Sequence, residues 1–297
     1  MSRPLRLQMA QQRAQNLLRE LGISKLPVDP EAIAARHDII VEAKPDTAPG
    51  VSGMLLRHGD TFGILYATHI ESEGFRRFSI AHELGHYFLD GHIDHVLPDD
   101  GLHASHAGYV SGDPYELEAD QFAAGLLMPA VLFRRALGKH DAGLGAVESV
   151  AAVCRTSLTA TAIRYAELTD DAFAVILSTG QTIDFCRLSG TMKSLPDITW
   201  LKKGTPVPHG TLTARLNAAP ARVRNADRDE EEVDICDWLG GHRSVAATEE
   251  VVGLGSYGKT LTVLSCPALV EETFRDEDEE DEDDEDLVDR WTPRFRR

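Results

Sequence analysis

The stretch from Phe78 to His92 constrains this chain more than any other, because it places His82 and His86 four positions apart inside a helical apolar pattern. At ~3.6 residues per turn, positions i and i+4 stand ~40° apart, so the two imidazoles converge on one side of such a helix. Glu83 sits beside them, where a carboxylate can take a proton from water held at a metal. Phe78, Ala81, Leu84 and Phe88 recur at helical spacing and predict a buried stripe next to the histidines. Gly85 costs about 1 kcal/mol relative to alanine inside a helix, which predicts that a second helix crosses there at close range. The competing reading, two exposed histidines on an ordinary amphipathic helix, does not account for that flank.

At 297 residues the chain has material for two domains, and its 42% hydrophobic and 26% charged residues are ordinary for a globular protein. No apolar run approaches the ~18 residues of a membrane span. Met1-Ser2-Arg3-Pro4 leads into a polar helix and not a secretory segment, so the expected location is cytoplasmic, with no membrane partner. Cys154, Cys186, Cys236 and Cys266 lack any C-x-x-C pairing, which points to reduced, mostly buried thiols. The net charge is −18, but Asp276 to Asp286 is an unbroken run of eleven acidic residues. Without it, 48 − 11 = 37 acidic residues face 30 basic ones, a net of −7, so most of the imbalance belongs to a tail.

Taken in order, Leu5 to Leu21 reads as an amphipathic helix stopped by Gly22, and Asp29-Pro30-Glu31 opens a short helix through His37. Ile39 to Val41 reads as a strand, and strands at Val51 to Arg57 and Thr61 to Ala67 flank a hairpin turn at His58-Gly59-Asp60. That hairpin is expected to supply a sheet edge beside the motif helix, where an extended peptide could pair. A loop from Asp90 to Ser111 carries His92, His95, His103 and His106, most of which read as solvated surface. His92 falls where an elongated motif, H-E-x-x-H-x-x-G-x-x-H, would put a third metal histidine. That motif needs glycine at 89 to turn the chain, and Leu89 resists the left-handed conformation, which argues against His92 as a ligand.

A better third donor lies in the helix that Asp113 caps and Pro114 begins, running to about Met128. Glu116 and Asp120 are four apart and share a face; Glu118 points elsewhere and reads as solvated. Glu116 could complete a His-His-Glu site with His82 and His86, and Asp120 could accept the outer N–H of either histidine. Glu116 could instead close a capping box on Asp113, a reading that explains none of Asp120, Ala119 and Gly85. Ala119 and Ala123 are small enough for the crossing that Gly85 predicts.

Ala81-His82-Glu83-Leu84-Gly85-His86, together with Glu116-x-x-Ala119-Asp120-x-Phe122-Ala123-x-x-Leu126-Leu127-Met128-Pro129, resembles the ImmA/IrrE family of metallo-endopeptidases over roughly residues 5 to 137. The resemblance implies a zincin-type domain with His82, His86 and Glu116 on zinc, or manganese, Glu83 as the catalytic base and Asp120 behind the ligands. It also implies a substrate class, helix-turn-helix transcriptional repressors, whose cleavage relieves repression of stress-response or mobile-element genes. The competing functions are a metallopeptidase with another substrate, such as a toxin-associated protein, and a non-enzymatic regulator that binds repressor or DNA. Tyr109, His103 and His106 are the candidates to stabilise an oxyanion.

The expected fold class is α+β: a zincin-like metallopeptidase domain over 1–140, a helical segment over 141–170, a strand-rich accessory domain over 171–270 and an acidic disordered tail over 271–297. Within the helical segment, two helices around Arg155-Thr156-Ser157 resemble a helix-turn-helix, with plain packing as the equal alternative. Only Arg155 and Arg164 would reach phosphates, which leaves direct DNA binding thinly supported. In the accessory domain, Phe173 to Leu177 and Thr182 to Phe185 read as a hairpin and Thr260 to Leu264 as a core strand, while the acidic Asp227 to Asp234 reads as loop. The tail solubilises the chain, or mimics DNA phosphates towards a repressor.

Overall fold

A computed structural model describes residues 2–44, 51–68, 72–97, 101–106, 113–138, 142–241 and 244–266. Tyr109, the side chain of His106 and the acidic run all lie outside the described residues. The fold is mixed α+β, and the chain divides into two compact units, Met1–His140 with Ala146–Arg164, and Asp141–Gly145 with Tyr165–Arg297.

In the first unit, helix α1 (Arg3–Glu20) ends ahead of Gly22, whose φ of 67° needs no side chain. Asp29 caps α2 (Pro30–Ala35) by accepting from the amides of Glu31 and Ala32 at 3.0 and 3.2 Å. Strands β1 (Ile40–Lys44), β2 (Val51–His58) and β3 (Thr61–Ala67) follow, with Gly59 at φ 61° in the β2–β3 hairpin. Helix α3 (Glu73–Phe88) starts at Ser72, which accepts from the Phe75 amide, and packs on β2 and β3. It stops where Leu89 turns extended, and Gly91, at φ 76°, leads into the short α4 (His92–Val96).

The supposed loop from Asp90 to Ser111 therefore holds a helix and also a strand, β4 (Leu102–His106). Sheet order is β1-β3-β2-β4, with β1 parallel to β3 and the other pairs antiparallel. This corrects the expected edge: β2 is interior, and among the described residues β4 is the outer strand beside it. Histidine-rich and short, β4 carries little β propensity of its own, and its strand state comes from the ladder it forms with β2.

Helix α5 (Pro114–Leu127) is capped by Asp113, which accepts from the Tyr115 amide at 2.9 Å. It crosses α3 where a Cβ on Gly85 would stand 3.0 Å from the Ala119 Cα, so any larger residue there would push the two helices apart by a few tenths of an ångström. On its other side α5 meets α1 just as closely, a Cβ on Gly125 falling 3.1 Å from the Gln11 Cα. Sandwiched so, α5 buries Phe122, Ala123, Leu126 and Leu127 completely, in one core with Leu17, Ile33, Leu55, Ile80 and Leu84. Helix α6 (Ala130–Leu137) follows directly after Pro129.

Helices α7 (Leu144–Cys154) and α8 (Leu158–Leu168) flank Arg155, which adopts a φ of 56°. Their turn lies on the start of α3, where Gly74 leaves room for the Ser157 backbone. Arg155 pairs with Glu73, and Arg164 is 2% exposed, donating to the Met128 carbonyl at 3.2 Å. Arg164 is thus sealed from phosphate, and the turn between the two helices is held by packing on the first unit.

The second unit is built on an antiparallel sheet of β5 (Phe173–Thr179), β6 (Thr182–Leu188), β7 (Arg228–Asp234), β8 (Ala246–Gly253) and β9 (Thr260–Ser265), in the order β6-β5-β9-β8-β7. Short helices α9 (Gly190–Lys193), α10 (Leu212–Asn217), α11 (Pro220–Arg224) and α12 (Ile235–Leu239) fill the connections. The acidic segment read as loop is in fact the edge strand β7, paired with β8 from Arg228↔Val252 to Asp234↔Ala246. An edge strand keeps its carboxylates in water while its backbone completes the ladder. Glu249, fully buried, accepts from the Thr213 amide and hydroxyl, each at 2.7 Å, and ties α10 to the sheet. All four cysteines are free thiols, and burial pushes Cys154, Cys186 and Cys266 up to about 12.

Candidate metal centre

The α3–α5 crossing brings the expected donors together. His82 Nε2 and His86 Nε2 stand 3.1 Å apart, and Glu116 reaches across with Oε2 3.4 Å from the first and Oε1 3.4 Å from the second. These three residues present donor atoms within 4.8 Å of one another. Both outer nitrogens are occupied: Asp120 Oδ1 lies 2.9 Å from His82 Nδ1, and His92 Nδ1 lies 3.2 Å from His86 Nδ1. Of the two histidines, Asp120 therefore serves His82. Glu116 faces these rings and not the start of its own helix.

Glu83 is fully buried beside them, and among the described residues no group meets hydrogen-bond geometry at either of its oxygens. It rests on β2 at Gly53, where a Cβ would come within 2.8 Å of Glu83 Oε1. Burial raises its carboxyl above the ordinary value, with His82, His103 and Ser105 only partly opposing. Burial also disfavours charge on His82, yet Asp120, Glu116 and Glu83 outweigh it and hold that imidazole at about 10. His86 is pushed by burial down to about 3, Glu116 offsetting part of the fall. Glu116 resists burial through its contacts with His103, His82 and His86, which hold it far below the usual carboxylate range. A site that favours one positive charge among two imidazoles and a carboxylate, next to a second, buried carboxylate, fits a divalent cation by charge and by donor type.

Three groups here stand differently from their reading as surface. His103, on β4, read both as loop surface and as an oxyanion candidate, sets Nε2 3.1 Å from Glu116 Oε1 and its ring 4.7 Å from His86, beside the site. The alternation His103-x-Ser105 after Gly101 was the signal, since both side chains leave the strand on one face. Glu118, read as solvated, is 9% exposed, because α1 covers the face of α5 that would otherwise meet water. His92, read as surface or as an unlikely ligand, is fully buried behind His86. His95 stays on the surface, stacked at 3.8 Å on Tyr115.

A Mycobacterium tuberculosis transcriptional regulator of known structure superposes with a TM-score of 0.56 at 18% identity, over 86% of this chain and 87% of its own, which shows a shared fold. No curated protein matches the chain. The model of the IrrE N-terminal-like domain family, Peptidase_M78, matches residues 34–165, from within α2 to within α8. The segment that builds the α3–α5 crossing thus belongs to the ImmA/IrrE family of metallopeptidases.

Proposed function

We propose that the chain is a zinc-dependent, or manganese-dependent, endopeptidase that cleaves a helix-turn-helix transcriptional repressor. The observation that carries the chemistry is the convergence of His82, His86 and Glu116 beside a buried Glu83. When bound there, a divalent cation supplies Lewis acidity, which acidifies water and polarises a peptide carbonyl. Glu83 removes a proton from the attacking water and delivers it to the departing amine nitrogen, a role suited by burial that raises its proton affinity. Asp120 holds the His82 ring through Nδ1. β4, the last strand of its sheet among the described residues, would lie alongside an extended substrate, with His103 beside Glu116. The substrate class rests on the family resemblance, and the regulator that shares the fold is in keeping with it.

The test is to incubate the chain, with Zn2+ or Mn2+, with the helix-turn-helix repressor encoded nearest to it, and to follow intact masses. Two fragments summing to the repressor plus one water are expected; a repressor left whole with either metal would sink the substrate assignment. Gly53→Ala offers a second check on the geometry. The added methyl overlaps Glu83 Oε1 and must displace it, and misplacing a reacting group by ~1 Å costs roughly 10²-fold in rate. Hydrolysis should fall by about that factor with metal content unchanged.

A further inference from the structure

On the side of His86 away from Glu116 runs a line of polar groups, buried up to the partly exposed Arg6, that the chemistry above leaves unused. His92 turns Nδ1 to His86 at 3.2 Å and Nε2 to Glu118 Oε2 at 3.3 Å. The other oxygen of Glu118 has Arg6 Nε at 2.5 Å, a charge pair more than an aligned hydrogen bond. Arg6, from α1, lies 5.3 Å over the Tyr115 ring, and Tyr115 meets His92 edge-on at 4.9 Å. Four elements, α3, α4, α5 and α1, each contribute one member of the line from His86 to Arg6.

We propose that His92, Glu118 and Arg6 form a positioning relay that fixes the tautomer of His86 and so presents its Nε2 lone pair to the metal. The inference rests on the metallopeptidase reading above. A carboxylate only accepts, so the His92 nitrogen facing Glu118, Nε2, carries the hydrogen. Arg6 already balances the charge of Glu118, and complete burial disfavours an imidazolium at His92 more than Glu118 and Glu116 favour it, so His92 is neutral with one N–H. Its Nδ1 is then an acceptor, and the hydrogen shared with His86 comes from His86 Nδ1. His86 Nε2 is left with its lone pair, aimed at Glu116 and His82. Reverse the tautomer of His92 and a lone pair faces a carboxylate while His86 Nε2 carries a hydrogen where a ligand is needed. The two histidine ligands are thus oriented differently: His82 by a carboxylate directly, His86 by a carboxylate acting through an intervening imidazole.

The test measures the zinc dissociation constant by competition with a chromophoric chelator, and the ring tautomer of His86 by 15N NMR of the zinc-free protein. His92→Phe and Glu118→Gln should each weaken zinc roughly 10- to 100-fold, as removal of an outer hydrogen-bond partner does. His92→Asn, which returns an acceptor near the Nδ1 position, should recover most of that loss, which a merely space-filling role would not. The wild-type His86 ring should carry its hydrogen on Nδ1, and that reading decides the matter even where a variant fails to fold. Zinc binding by His92→Phe within about twofold of wild type, or a wild-type His86 hydrogen on Nε2, overturns the relay and leaves the metal centre standing. A wild-type chain that binds no zinc overturns the metallopeptidase reading and takes the relay with it.

Discussion

Replacing Glu83 by glutamine is expected to lower peptide hydrolysis by roughly 10²- to 10⁴-fold, the range that a positioned general base contributes. The amide has the shape of the carboxylate, so the buried slot over Gly53 stays filled and the metal donors keep their places. What it loses is the ability to take a proton. Because a buried carboxylate with no group in hydrogen-bond geometry among the described residues is costly to fold around, the variant should also be no less stable than wild type, and its thermal midpoint should hold or rise. Fragment yield against time, with metal content measured on the same samples, checks both parts. Turnover by Glu83→Gln at the wild-type rate with full metal would remove Glu83 from the chemistry.

Glu116→Ala is expected to abolish stoichiometric zinc binding, and with it the stabilisation that zinc confers on the folded chain. A metal held a thousandfold above its dissociation constant contributes about 4 kcal/mol to folding. Denaturant unfolding with zinc and with a chelator should therefore separate by about that amount in wild type and coincide in the variant. Glu116 touches both histidines from a different helix, so its loss opens the set from one side and leaves the α3–α5 crossing intact. Undiminished metal in Glu116→Ala would point to another third donor, and His103, 3.1 Å from the same carboxylate, is the first to examine.

Much of the site was legible in the chain because it depends on local rules. Four-residue spacing put His82 and His86 on one helical face, and Asp29 and Asp113 announced helix starts that need only their own next two or three amides. Gly85 reported a close neighbour from within its own helix, since nothing local repays a glycine there, and Ala119 answered it from a helix that was itself readable. The β2–β3 hairpin and the β5–β6 hairpin announced themselves through alternation and a glycine turn.

What escaped the linear reading were residues whose state depends on which element lies across from them. Whether Glu118 meets water or Arg6 is decided by α1, about a hundred positions earlier, lying over α5. His92 looked like a failed ligand because spacing can relate it to His82 and His86 only along the chain, whereas Gly91 swings α4 round to the back of the His86 ring. His103 and the acidic β7 have weak strand preference, and each becomes a strand because a neighbour offers an unpaired edge. The candidate donors follow from spacings within two helices, His82 and His86 on α3 and Glu116 on α5, which the order of residues carries. Their orientation, their outer partners and the outer strand beside them follow from contacts between elements far apart in the chain, which only folding brings within bonding distance.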